Sequence, residues 1–570
     1  MPLPSTLITA RHRDLDLRLL AGEWPDDVSG EVFVSAPEPS PRLASALFGF
    51  GVMIRLSLRP GTHGAPADRF AWRARTIDSP TQRLFDRVPG AFAPGPLGYT
   101  SALGAPNMVN TAPLAWGDRL FATWDVGRPA EIDPLSLRFL AEVGSAASWG
   151  GGSFPAKSVL PFIFSSAHPI VDAERGCLWT AKLAPADGAP FRWRPLVVRY
   201  GGDGASVLTW PVAGARLAGS LHTISQTRDW LILADSGNFK ADPGEMAGGA
   251  RSARIDDVVP VFLVRKDELE ATPAGREVPM REFALAPSTG HYYACWDDRD
   301  GVRVLFEHMD LIDLGFRLQP GDLDARGRPI DPALAGMYNT AMAPSSVSEV
   351  ELDPASGKLT HRAVFREDWA WNLQLSALDW SPEGLAAPTL HHTVYQGWRP
   401  GAVSQRALHH YRDRVDRESL PPDDTPASLV TRRRGSLEVT SRFEFRSPGD
   451  LPTSPVFAPR APAGAAGRSR APGGHDGWVA CPVLSDAGLR VDLFDAADVS
   501  RGPVAAIGAP GEAVPLLLHS AWLPRAVAAA DRERLRFADD VGEAEIAALP
   551  TELGAAVREV ARGEVGPAGA

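Results

Sequence analysis

With 570 residues, 44% of them apolar and 22% charged, the chain has the composition of an ordinary folded protein and not of a disordered one. A formal net charge of -11 leaves no basic footprint for a phosphate backbone, so nucleic-acid binding is set aside. The only cysteines are Cys177, Cys295 and Cys481, an odd number without CxxC spacing. Neither a disulfide framework nor a thiolate zinc site is indicated, and a reducing cytoplasm fits.

The opening MPLPSTLITARHRDLDLRLL lacks an uninterrupted apolar run, and no later run reaches the length needed to span a bilayer, so neither a standard signal nor a transmembrane segment is expected. This lead-in is read as irregular. Short strands are predicted from SGEVFVSAPEP and ALFGFGVMIRLSL onward, and period-2 or fully apolar runs then recur: DRLFATWDV, GCLWTAKL, PLVVRYGG, DWLILAD, PVFLVRK, GVRVLFEH, HHTVYQGW, SLEVTSRFEF, DGWVACPVL and LRVDLFDA. Turn signals such as AERG, GGDG, DRDG and ASGK separate them. So many short strands exceed one sandwich or small barrel and point to an all-β fold closed as a β-propeller, whose inner strands line a central axis.

The apolar patch VLPFIF, Val159 to Phe164, is assigned to the core, with peripheral membrane contact as the alternative. Ser236 to Asp257 and Ala458 to Gly474 read as excursions from the scaffold, the second without a fixed fold. Asp416 to Ser436, with Arg432, Arg433 and Arg434, reads as a solvated linker. Beyond about Ala530 the spacing of EAEIAALPTELGAAVREVARG predicts a helix stopped by Gly, which divides the chain into a propeller over 1–530 and a helical extension over 531–570.

Four histidines, His168, His222, His291 and His519, lie in apolar, strand-like settings. Neutral imidazole suits Fe, Zn, Cu or Ni, and four such ligands on one side of an octahedral ion leave positions open. Taken singly, each is more readily a satisfied core side chain, and their wide separation is unlike a compact metal motif.

In order, the contexts of these histidines resemble the carotenoid cleavage oxygenase family. Ala167-His168-Pro169 with Asp172 and Gly176 resembles the family's HPxxD segment and turn. LHTISQTRDWLILAD, with His222 and Thr227, resembles H-D-F-x-x-T but has Thr223 in place of Asp. His291 to Asp297 resembles H-x-x-N-A-W-E, and PLLLHSAWLP, with Pro515, His519 and Trp522, resembles P-x-G-F-H-G-x-W. GFGVMIRLSL, Asn110-Thr111 and FATWDVGRPAEIDPLSLRFL match further family blocks, so the likeness runs from about Leu17 to Ala526.

The resemblance implies a seven-bladed β-propeller with the metal on its axis and Fe2+ held by His168, His222, His291 and His519. It also implies cleavage of a conjugated carbon-carbon double bond by O2, giving two carbonyl products. In the family three glutamates hold the outer nitrogens of the metal histidines. Here Asp125 stands at the first place, and the alignments put Thr389 at the second and Ser454 at the third. His391, His392 and Asp297 lie nearby and read most simply as strand residues, with compensation for the lost carboxylates as the alternative. Stilbene-cleaving members resemble one another in having Lys just before the first glutamate. Trp124 occupies that place here, which favours an apolar polyene of carotenoid or apocarotenoid type. Stilbene cleavage, isomerisation of a retinoid-like ester, and an inactive propeller that binds an apolar ligand, or a partner through its helical tail, are the rivals.

Overall fold

Apolar runs bounded by Gly- and Asp-rich turns become antiparallel sheets. In the strongest runs every residue is buried, as in Glu31–Pro37 and Gly51–Ser57. Such strands are covered on both faces by neighbouring sheets, so they read as continuous rather than alternating. The turn ASGK shows the local chemistry: Gly357, with φ +68°, supplies the left-handed residue between strands Ser346–Asp353 and Lys358–Arg366. The computed structural model describes residues 12–38, 40, 43, 47–95, 98–150, 158–186, 192–204, 206–236, 257–286, 289–299, 301–308, 318–336, 346–367, 375–378, 388–410, 416–447, 449–461 and 476–563.

Five sheets of four or five strands follow one another: Pro113–Trp116 to Phe139–Glu142, Phe164–Ser165 to Leu208–Pro211, Ile224–Gln226 to Arg281–Leu285, Thr289–Ala294 to Lys358–Arg366, and Leu375–Leu378 to Val439–Glu444. A ten-stranded sheet built from both ends of the chain completes the propeller-like arrangement. Its two ends are Ser520–Leu523 on one side and Leu451–Pro452 with Val456–Pro459 on the other. Five separate blades and one large sheet therefore replace the seven separate blades implied by the resemblance.

The cause is strand His12–Gly22, which pairs with Phe70–Thr76 and also with Ala505–Pro510. This stretch, expected to be irregular, is an eleven-residue strand. Its charges are cross-strand partners, Asp14 with Arg75 at 2.6 Å and Asp16 with Arg73 at 3.0 Å.

The core is divided into layers between adjacent sheets. One layer packs Trp179, Val197 and Leu231, and another packs Ile232, Phe283, Tyr292 and Phe306. VLPFIF joins this interior through Val159, Leu160 and Ile163, all buried. The arginine run is also internal: Ser428–Arg433 is a strand, and Arg432 is wholly buried, its guanidinium 3.9 Å from the Phe365 ring centre and donating to the Tyr395 hydroxyl at 2.6 Å. The solvated-linker expectation for this stretch is corrected accordingly. Most of Ser236 to Asp257, and the latter part of Ala458 to Gly474, lie outside the described residues.

The C-terminal helix expected as one piece is two, Glu543–Ala547 and Thr551–Gly563, because Pro550 cannot continue the first. Ile546, Val557 and Val560 pack in one apolar cluster with Leu84 of helix Pro80–Arg87, with Val88 just past its end, and with Trp124 and Val159. Buried ions pin the approach to these helices, with Arg128 between Glu142 and Asp540 and Glu131 between Arg119 and Arg534. Replacing Val557, fully buried, by Asp is expected to cost about 3–5 kcal/mol by leaving an unpaired charge in this cluster. A thermal midpoint unchanged from the parent protein would show that the helix is not structurally coupled to the sheets.

Candidate metal centre

The four predicted histidines meet at one point, with ligand-capable ring nitrogens all within 4.8 Å of one another. Each sits at or just before an inner edge strand: His168 before Ile170–Asp172, His222 before Ile224–Gln226, His291 within Thr289–Ala294 and His519 before Ser520–Leu523. Nε2 of His222 lies 3.2 Å from Nε2 of His168 and 3.1 Å from Nε2 of His291, so these three rings turn the same nitrogen inward. The His519 ring stands edge-on to His168 and His291, with centroids 4.5 and 4.9 Å away.

Backbone contacts hold the cluster together. The His222 carbonyl accepts from the N–H groups of Ala167 and His168 and from the Ser166 hydroxyl at 2.9–3.2 Å. The Tyr292 hydroxyl donates to the Thr223 carbonyl at 2.5 Å and accepts from Ala234 N–H at 2.9 Å, tying the His291 strand to the His222 segment. Ser35 N–H donates to the His519 carbonyl at 3.0 Å, which fixes the fourth histidine to strand Glu31–Pro37. Enclosure in the interior, reinforced by the neighbouring imidazoles, holds His168 and His519 well below the ordinary histidine range. Neutral rings are the form that donates a lone pair to a metal.

Behind the rings stand two carboxylates. Both oxygens of Asp125 accept from His222 Nδ1, at 2.9 and 3.0 Å, as expected for the acid next to Trp124. The second was missed in the sequence. Glu307 is directly opposite His291 across the strand pair Thr289–Ala294 and Val302–His308, with Oε2 3.6 Å from His291 Nδ1. Its Oε1 accepts from His391 Nε2 at 2.9 Å. Full burial would raise the Glu307 carboxyl, but the two imidazoles beside it hold it down at about 2.

Thr389 lies at the head of strand Leu390–Tyr395, its carbonyl taken by Arg434 N–H, while Glu307 faces His291. Ser454 is buried, its hydroxyl 2.7 Å from that of Ser520, the residue after His519. His392 pairs with Thr431, and Asp297 with Arg299, both away from the cluster. The signal that could have found Glu307 is an acid directly after the apolar run Val304 to Phe306 in GVRVLFEH. A buried charge of that kind needs a partner.

A cavity of about 320 Å³ reaches His168 and His291 along the axis. Inner edge strands from several sheets line it through Leu114, Ile170, Ile224, Ala377, Val456 and Trp522.

An all-β, propeller-like protein with a partly buried four-histidine centre is the class that fold and site define. The family model described as retinal pigment epithelial membrane protein matches residues 8–524, and the chain belongs to that family, the carotenoid cleavage oxygenases. No curated protein matches the chain. Among solved structures, the cobalt-substituted apocarotenoid oxygenase of Synechocystis is 16% identical with a TM-score of 0.62, covering 91% of this chain and 98% of its own. A chimera of that enzyme with a retinal pigment epithelial membrane protein is 15% identical with a TM-score of 0.59 over the same shares. At these identities the structures establish likeness of fold.

His222→Ala is expected to abolish metal binding while the β-rich circular dichroism spectrum persists. Asp125→Asn is expected to weaken binding about 10–100-fold in competition with a chelator. Full metal content in His222→Ala would remove His222 from the ligand set.

Proposed function

We propose that the protein is a non-haem iron(II) oxygenase that cleaves a conjugated double bond of a carotenoid or apocarotenoid with O2. One oxygen atom enters each of the two carbonyl products, so the C=C bond is replaced by two C=O bonds without a further reductant. The observation that carries this reading is the convergence of four histidine nitrogens, those of His222 and His291 buried and those of His168 and His519 half-buried. Membership of the carotenoid cleavage oxygenase family supports it. So does likeness of fold to an apocarotenoid oxygenase that accepts a metal.

The donor set fits a divalent ion. Four imidazoles, backed by Asp125 and Glu307, offer borderline nitrogen ligands and two carboxylates to offset the ion's charge. His168, His222, His291 and His519 would hold Fe2+, and the ion would supply activation of O2. Around it the chain orients and excludes water. Asp125 fixes the tautomer and direction of His222, and the apolar interior gives a rigid polyene a dry environment. Ser454 lies behind the fourth ligand through Ser520.

Trp124 supports the apolar class of substrate. It is 8% exposed and stands edge-on to Phe48 at 6.2 Å, so no ammonium occupies the place next to Asp125 where a phenol oxygen would be met. Residues 1–530 would form the oxygenase body and 531–570 its helical extension. Among the described residues no helix is long and apolar enough to cross a membrane. The three free, buried cysteines accord with a cytoplasmic setting, and only Pro161, Phe162 and Phe164 of VLPFIF have part of their surface free for a peripheral lipid contact.

Protein made in iron-supplemented medium is expected to hold about one iron per chain. Given a panel of apocarotenals and hydroxystilbenes under O2, it should release aldehydes from the apocarotenals. Metal-free protein of equal stability would end the oxygenase reading, turnover of stilbenes alone would overturn the argument from Trp124, and isomerisation without O2 uptake would make it an isomerase.

A further inference from the structure

The resemblance to the carotenoid cleavage oxygenases puts a threonine at the second carboxylate position, yet His291 has a carboxylate behind it. Glu307 lies directly opposite His291 in the strand register, and directly opposed residues bring their side chains to one face at about 4.5–5.5 Å between Cβ atoms. The carboxylate therefore comes from the second strand of the histidine's own sheet. It is fully buried. An ionised side chain at that depth is tolerated only where donors meet it.

The donor on its far side comes from the next sheet. His391, also 0% exposed, points Nε2 at Glu307 Oε1 from 2.9 Å, and the Thr393 hydroxyl lies 3.1 Å from its Nδ1. With Oε1 occupied, Oε2 is the oxygen left facing His291 Nδ1. The separation of 3.6 Å is wider than an N–H···O bond, so a shift of about half an ångström closes it. His222 shows the completed version of the same arrangement, Nε2 inward and Nδ1 on a carboxylate.

We propose that Glu307 and His391 act as a pair of positioning residues for the metal site: Glu307 orients His291 and raises its basicity, and His391 acts only through Glu307. This rests on the metal-binding reading above, and it gives the centre two carboxylates, so that the charge of a divalent ion is matched inside the protein. His391 is a fifth histidine of the site without being a ligand. Its role ties the sheet that begins at Leu375–Leu378, which supplies no ligand, to the geometry of the centre.

A double-mutant cycle with Co2+ as the probe tests this, because cobalt affinity and its visible absorption bands report the ligand field without turnover. Glu307→Ala is expected to bind Co2+ about 10–100-fold more weakly with shifted bands. Glu307→Asp should recover part of the loss. His391→Ala should lose less than Glu307→Ala, and Glu307→Ala with His391→Ala should lose no more than Glu307→Ala alone, as for residues acting in series. Should Glu307→Ala fail to fold, Glu307→Gln, which keeps the shape and removes the charge, carries the same expectation. Wild-type affinity in Glu307→Gln, or fully additive losses, would overturn the pair while leaving the metal site intact. A parent protein that binds no Co2+ would overturn the metal reading itself, and the pair with it.

Discussion

Imidazole nitrogens 3.1–3.2 Å apart cannot all carry protons inward. One inward proton can be shared by two rings as an N–H···N bond, and the converging lone pairs that remain suit a cation. The rest of the structure answers to this constraint. Interior burial keeps His168 and His519 in the neutral form. The carboxylates lie behind the rings, where they set which nitrogen keeps its proton. An aspartate on one ring nitrogen leaves the other free to face the centre.

Sheets that converge on an axis are well suited to hold such a cluster. Each histidine is placed by an edge strand of only a few residues, and such strands are rigid because longer, largely buried strands pair behind them. Strand Glu31–Pro37 does this for the His519 segment, receiving Leu518 N–H and donating Ser35 N–H to the His519 carbonyl. The cost of the arrangement is closure, because an open ring would leave two exposed edges. His12–Gly22 closes it from the first residues of the chain, joining strands that lie more than four hundred positions apart. The C-terminal helices then cover the apolar cluster that contains Trp124, whose neighbour Asp125 holds His222.

Much of this was legible in the sequence. The long buried strands announced themselves as apolar runs, and the four histidines could be placed in order by their contexts. What escaped notice had physical reasons. The inner edge strands, three to six residues long, are too short to show a period, and His12–Gly22 masks its alternation with charges that pair across the sheet. The arginine run looked solvated because composition cannot show that Phe365 and Tyr395 enclose Arg432. Pro550 stood in plain view within the predicted helix and marks where it breaks.

The most instructive difference concerns Glu307. Alignment asks which residue occupies a given place in a segment, and at the second carboxylate place it returned Thr389. The physical requirement is different: a negative charge within reach of His291 Nδ1. Two backbone routes meet it, a neighbouring sheet approaching from the side or the adjacent strand of the same sheet approaching in register. In this chain the adjacent strand supplies the acid, and the neighbouring sheet supplies the donor that orients it. A site can therefore lose an aligned residue and keep its electrostatics. An acid directly after a buried apolar run is the sequence feature that reveals such a replacement, because that position is intolerable for a carboxylate unless something cationic, or a donor directed at it, lies close by.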